Sequence, residues 1–325
     1  MKEQSRIPKI SICMAVYNGA PFLQEQLESI IAQTYTNWEL LIRDDGSTDS
    51  GMDILTYYAS RDPRIRIIID GKGQLGVCQN FNELLGYHDN SDYFMFADQD
   101  DRWLPTKIER SLQAMETIEK NTPSTTPILV HSKVRYTDET MVPLSKKYYC
   151  YSGSDTTTRS YGLLIHNWIF GCTMLFNKAL LDCVFPIPQS DYVTVHDAWI
   201  AQLASLCGIV HVLDSHELLH RLHANNATDS RKTISFIAKI SVALKKIRSS
   251  TALIMIKYNQ CLLLKERLSQ CPSCTTISVI DSFMTLLQKR NVTALLWGVR
   301  HNIHATRPFH TLVFYLQLFT GKKSK

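Results

Sequence analysis

The sequence lacks several features that would have settled its class at once. No run reaches the ~18 apolar residues a membrane-spanning helix requires. The opening segment Met1 to Lys9 is polar and charged, and the first apolar run, Ile10 to Val16, is too short for a secretory leader, so no signal peptide is read there. No G-x-x-x-x-G-K-[ST] phosphate loop occurs, nor any internal repeat or low-complexity tract. Nine cysteines are scattered without the paired spacing of a disulfide framework, which points to reduced thiols. Cys271-Pro272-Ser273-Cys274 stands without a second ligand pair and reads as an incidental loop, while Cys13, Cys172 and Cys207 lie in apolar runs and read as core.

What is present begins with charge. The net charge of +5 conceals a division: residues 231–325 hold 16 Lys and Arg against two acids, a net of +14, leaving −9 on residues 1–230. Two differently employed regions follow, an acidic one over 1–230 and a basic helical one over 231–325. The basic region needs an anionic partner. No nucleic-acid motif is found, whereas basic segments with Trp297, Phe309, Phe314, Tyr315 and Phe319 suit the anionic face of a membrane. The expected location is the cytoplasm, peripheral on the inner face of the cell membrane.

Short apolar runs at Lys9 to Val16, Trp38 to Ile42, Arg64 to Ile69 and Tyr93 to Ala97 alternate with helical patterns at Phe22 to Gln33, Ile54 to Tyr58 and Leu75 to Tyr87. This predicts an α/β fold with a parallel sheet flanked by helices. Beyond it, Lys107 to Lys120 and Asp197 to Leu206 read as helices, Ile128 to Tyr136 as a strand, and Ile209 to Leu213 and Leu218 to Leu222 as two further strands. Met141 to Arg159 reads as an irregular loop, and Ile234 onward as helices, with Ile237, Ile240, Leu244 and Ile247 on one face.

The strongest chemical signal is Tyr93 to Asp101. An apolar strand ends in Asp98, Asp100 and Asp101, and three unpaired carboxylates cannot be buried cheaply. They belong where the strand leaves the core, at the sheet edge where ligands bind. An all-oxygen acidic site suits Mg2+ or Mn2+ with a phosphate. A second acidic turn, Asp44 to Asp49, also follows a strand and falls on the same edge. Gly71-Lys72-Gly73-Gln74-Leu75-Gly76 matches G-x-G-x-x-G, which keeps a dinucleotide-binding oxidoreductase open as a rival, although it follows the third strand of the run. His196-Asp197 opens a helix; Asp197 is either a cap or a general base. Arg221 to Asn226 could hold a diphosphate through Arg221.

Taken together these motifs resemble family 2 glycosyltransferases of the GT-A fold, over about residues 9 to 226. The resemblance implies a Rossmann-like, mostly parallel sheet with a C-terminal helical extension, a nucleotide-sugar half over 1–107 and an acceptor half over 108–230. Ala15-Val16-Tyr17-Asn18-Gly19 resembles the opening loop that grips the nucleotide, and Asp44 to Asp49 the DDGSxD element, with Asp45 on the base. Asp98-Gln99-Asp100 matches D-x-D: Asp100 would hold the metal, with His223, and Asp98 and Gln99 would face the donor. His196-Asp197 stands where the family has its E-D pair, making Asp197 the base. The run Asp98 to Lys107, with Trp103, and the segment Asn167 to Asn177, with Trp168, Gly171 and Cys172, are similar to rhamnosyltransferases of bacterial surface polysaccharides, as is Arg221-Leu222-His223. That implies an inverting, metal-dependent enzyme and dTDP-L-rhamnose as donor, with Trp103, Trp168, Gly171 and Cys172 lining the acceptor site. The acceptor implied is a saccharide on a lipid carrier, in O-antigen or capsule synthesis. A UDP-hexose donor and a silent sugar-binding module remain as alternatives.

Overall fold

The computed structural model describes residues 6–144, 161–224, 250–271 and 276–289, with a few isolated positions between 296 and 318. The irregular loop predicted over Met141 to Arg159 falls largely outside these residues, as do Asn225 and Asn226, the face of Ile237 to Ile247, Cys274, Trp297, Phe309 and Phe319.

The chain opens with β1 (Ile10–Val16), α1 (Ala20–Ile31), β2 (Trp38–Asp44), α2 (Gly51–Ala59), β3 (Ile65–Ile67), α3 (Val77–Leu85) and β4 (Tyr93–Ala97). Each strand is short and apolar, and each helix presents one apolar stripe, so strand and helix can cover one another. Alternation along β1 divides the core: Ile10, Ile12, Met14 and Val16 join Leu23, Leu27 and Ile30 of α1 and Leu55 of α2. Cys13 faces the other way, among Phe81 and Leu84 of α3. Then follow β5 (Arg102–Trp103), α4 (Lys107–Glu119), β6 (Ile128–Thr137), β7 (Met174–Asn177), α5 (Lys178–Val184), α6 (His196–Cys207) and β8 (Ile209–Arg221). Two helices of the C-terminal region, α7 (Ser250–Ser269) and α8 (Ile277–Lys289), pack on the α3, α5 and α6 side of the sheet.

The eight strands form one sheet in the order β3-β2-β1-β4-β7-β6-β8-β5. β3, β2, β1 and β4 are all parallel, as the alternation predicts. The second half departs from it: β7 runs antiparallel to both β4 and β6, and β5 antiparallel to β8. The two strands expected at Ile209 to Leu213 and Leu218 to Leu222 are one, because register shifts beside His131 and Lys133 let β8 bend along β6 without ending. β5 and α5 were not visible in the sequence, β5 being two residues and α5 too short to show a helical period.

The order carries the functional consequence. The chain winds outward from β1 to β3, then returns to place β4 on the other side of β1. Such a reversal leaves a crevice at the carboxyl ends of the two central strands, where open α/β sheets take their ligands. Val16 pairs with Asp44 and Met14 with Ala97, so the loops after β1, β2 and β4 all leave from that edge.

Candidate active site

The three edge loops are tied to one another by side chains. The Gln99 amide grips the backbone of Tyr17 twice, accepting from its N–H at 2.8 Å and donating to its carbonyl at 3.0 Å. Asn18 accepts from the Thr48 N–H at 2.8 Å, and its own N–H donates to Ser47 Oγ at 2.8 Å. Gln99 and Asn18 therefore hold the crevice in shape. The Tyr17 side chain is exposed, and Ala15 is half-buried against the core.

Asp45 takes a place the sequence did not show. It is 4% exposed and receives the Leu75 and Gly76 N–H groups, each at 2.8 Å, and the Arg43 guanidinium at 2.9 Å. Arg43 also pairs with Asp70 at 2.9 Å and donates to the Gly73 carbonyl. Its oxygens hold the glycine loop and Arg43 in place. It also bears on the oxidoreductase reading. Gly76, with a φ of +76°, turns the loop so that its N–H groups at the head of α3 meet an internal carboxylate, in the place a dinucleotide pyrophosphate would take.

At the end of β4 the acids gather two imidazoles. His223 Nε2 lies 2.7 Å from Asp100 Oδ2, and His220 Nδ1 lies 2.7 Å from Asp101 Oδ1. Burial, followed by the charges of Asp101 and Asp100, pushes the Asp98 carboxyl up to about 7. Asp100 is raised by burial and by Asp101. Burial would pull His220 down, but Asp101, Asp98 and Asp100 outweigh it and hold the imidazolium up at about 9. Lys107 is fully buried beneath this cluster, 4.6 Å from the Trp103 ring. Asp98, Asp101, Cys172 and His220 each offer a donor atom within 4.8 Å of the others. Of these, Cys172 and His220 offer sulfur and nitrogen, whereas a hard cation prefers oxygen. Asp98, half-buried, and Asp100, 9% exposed, remain as oxygen donors.

Arg221 is used differently from its predicted role as a diphosphate clamp. It is 4% exposed, with Nε donating to the Asp100 carbonyl at 3.0 Å and its other nitrogens to Glu25 and to the Glu139 carbonyl. It thus positions the turn that carries Asp100. Of the residues expected to line the acceptor site, Trp103 and Cys172 are 2% and 1% exposed, and Trp168 packs in the core with Ile169. These side chains support the site from beneath.

Asp197 stands in the first turn of α6. Its Oδ2 accepts the Gly171 N–H at 3.2 Å and its Oδ1 the Asn167 amide at 3.0 Å. Burial pushes its carboxyl up to about 6 against those hydrogen bonds. That is a value suited to a base working near neutral pH. Asn167 was not assigned this role from the sequence, where nothing marks a residue thirty positions before Asp197 as its partner. The preceding His196 is not a second acid or base. Its ring is boxed by Phe81 and Phe96, centroids at 4.1 and 4.7 Å, and burial lowers it to about 3. A Cβ on Gly171 would meet His196 Nε2 at 2.6 Å, so only glycine lets the turn approach α6. The 3-10 turn Gly171–Thr173 joins the two halves of the site: Gly171 binds Asp197, and the next residue, Cys172, touches the β4 carboxylates.

Comparison with known proteins gives this arrangement a context. The family model "Glycosyl transferase family 2" matches residues 11–184. The chain is 36% identical over 110 residues to the putative glycosyltransferase EpsE of Bacillus subtilis, covering 34% of this chain and 39% of that protein. It is 26% identical over 264 residues to an uncharacterized glycosyltransferase of Rickettsia typhi, covering 79% of this chain and 78% of that one. Among solved structures, S. aureus TarS (residues 1–349) in complex with UDP-GlcNAc superposes with a TM-score of 0.54 at 17% identity, covering 85% of this chain and 70% of that chain. The shared architecture is the GT-A fold, a sheet flanked by helices.

Proposed function

The chain belongs to glycosyl transferase family 2, and on that premise we propose that it moves a sugar from a nucleoside diphosphate to a hydroxyl of a saccharide acceptor, with inversion. The observation that carries this reading is the Gly171–Thr173 turn, which brings a raised carboxylate, Asp197, to the same crevice as the β4 acids. TarS, the structural neighbour, is seen with UDP-GlcNAc, which supports a nucleotide-sugar donor here.

Each part of the site has a task in that reaction. The loop after β1, held by Gln99, receives the nucleotide, with Tyr17 exposed at its mouth. Asp98 and Asp100 would hold Mg2+ or Mn2+, with His223 fixing the Asp100 carboxylate. The crowding of Asp98, Asp100 and Asp101, which raises two of them, favours a cation at that point. When bound, the metal would neutralise charge on the departing diphosphate. Asp197 takes the proton from the acceptor hydroxyl as that oxygen attacks the anomeric carbon. One displacement inverts that carbon, so no enzyme nucleophile is required.

The finer reading is a rhamnosyl donor, dTDP-L-rhamnose, supported by the likeness of Asp98 to Lys107 and Asn167 to Asn177 to rhamnosyltransferases. We further read the acceptor as a lipid-linked saccharide of a surface polysaccharide. The net +14 of residues 231–325 supports placement on an anionic membrane face. Among the described residues no helix is long and apolar enough to cross a membrane. The test is a panel of dTDP-, UDP- and GDP-sugars with Mg2+ or Mn2+, read by thermal shift and by transfer to glycan acceptors. Stabilisation by dTDP-L-rhamnose above the others is expected. Stabilisation by NADH with none by any nucleotide sugar would overturn the reading.

A further inference from the structure

Away from the crevice, three thiols meet where the catalytic domain joins the C-terminal helices. Cys183 lies in α5, Cys207 closes α6, and Cys271 follows α7. Their sulfurs all lie within 4.8 Å of one another, and Cys183 and Cys271 approach to 2.7 Å. None of the three forms a disulfide; Cys183 and Cys207 are buried and Cys271 half-buried. They come from three separate elements, so no helical period brings them together. A cavity of about 700 Å³ opens beside them, lined by Cys183, Cys271, Arg267 and Lys178 among others.

We propose that Cys183, Cys207 and Cys271 form a thiolate site for zinc, with the fourth coordination position facing the cavity. Tetrahedral zinc takes Cys sulfur at about 2.3 Å, which separates the ligand sulfurs by roughly 3.8 Å. Thiols already within 4.8 Å reach that spacing by small rotations. Soft sulfur ligands select zinc and reject Mg2+ and Mn2+, so this site and the β4 carboxylates draw different ions. Each thiol that ligates gives its proton to solvent. Zinc with three thiolates carries one net negative charge, and the guanidinium of Arg267, fixed on the Phe185 and Pro186 carbonyls, stands by to balance it. Cys271 also opens a C-x-x-C, a spacing zinc sites use; Cys274 lies outside the described residues, and three thiols alone define the site. Cys207 is a core residue, as its apolar run predicts, and the proposal gives its sulfur and that of Cys271 a further task.

The site has a structural consequence independent of the sugar chemistry. α6 begins with the Asp197 carboxylate and ends on Cys207. A metal there fastens the far end of that helix to α7, and so the C-terminal region to the catalytic domain.

The test uses the full-length protein purified under reducing conditions and dialysed free of loose metal. Elemental analysis is expected to find about one zinc per chain. Replacing the zinc with Co2+ should give a thiolate-to-cobalt charge-transfer band. Both should be lost in Cys183→Ser and in Cys207→Ser and kept in Cys172→Ser, whose thiol belongs to the β4 cluster. Wild-type protein that holds no zinc and gives no cobalt–thiolate band would overturn the proposal. So would a band lost only in Cys172→Ser, or a Cys183–Cys271 disulfide found by peptide mapping of the metal-free wild type. Because the wild-type readings decide by themselves, a variant that fails to fold leaves the test intact.

Discussion

As the proposed base, Asp197 would set the pH behaviour of the site. The Gly171 N–H and the Asn167 amide favour its ionised form, yet burial wins and lifts it to about 6. A base must be deprotonated to act, so turnover should rise as pH increases through about 6 and level above it. A pH profile of kcat at saturating donor measures this; a flat profile between pH ~5 and ~8 would remove Asp197 from the chemical step. Gly171 is the second residue on which the site depends. In Gly171→Ala the new methyl meets a His196 ring already enclosed by Phe81 and Phe96, so the clash has no easy outlet. Overpacking of this kind costs about 1–3 kcal/mol. A lowered Tm together with lost transfer is expected, because the turn that holds Asp197 must move.

At the scale of elements, the glycine loop before α3 depends on one buried carboxylate. Asp45→Ala would leave the Leu75 and Gly76 N–H groups without their acceptor and remove one partner of the buried Arg43. Breaking a buried pair from one side costs about 3–5 kcal/mol, so the urea midpoint should fall well below that of the wild type. This region also shows how far the sequence could be read. The strands β1, β2 and β4 and the helix α4 lie within two residues of their predicted ends, because each is a compact apolar run bounded by turn residues. The convergence of the acidic loops on one edge followed directly, since parallel strands end on the same side. Side-chain partnerships did not follow. Asp45 reads as a ligand contact in sequence, and only the fold shows it turned toward α3; Arg221 and Trp103 read as pocket residues and are buried supports. Periodicity reports which face a residue takes, and says nothing of which atoms already occupy its donors and acceptors.

For the molecule as a whole, the division of charge is the feature that no single element explains. Residues 1–230 carry a net −9 and residues 231–325 a net +14. A positive region attracts anionic lipid headgroups at about 1 kcal/mol per nearby Lys or Arg, an attraction that salt screens. Full-length protein should float with anionic vesicles at low salt, release at high salt, and ignore neutral vesicles; protein that stays unbound at low salt would rule out the membrane placement. The central proposal, however, rests on the crevice: that a sugar is transferred there with Asp197 as base. The most direct measurement is the transfer rate of Asp197→Asn at saturating nucleotide sugar. A fall of about 10²–10⁴-fold in kcat, with the donor KM nearly unchanged, is the result expected for a lost general base. Transfer at close to the wild-type rate would contradict the account.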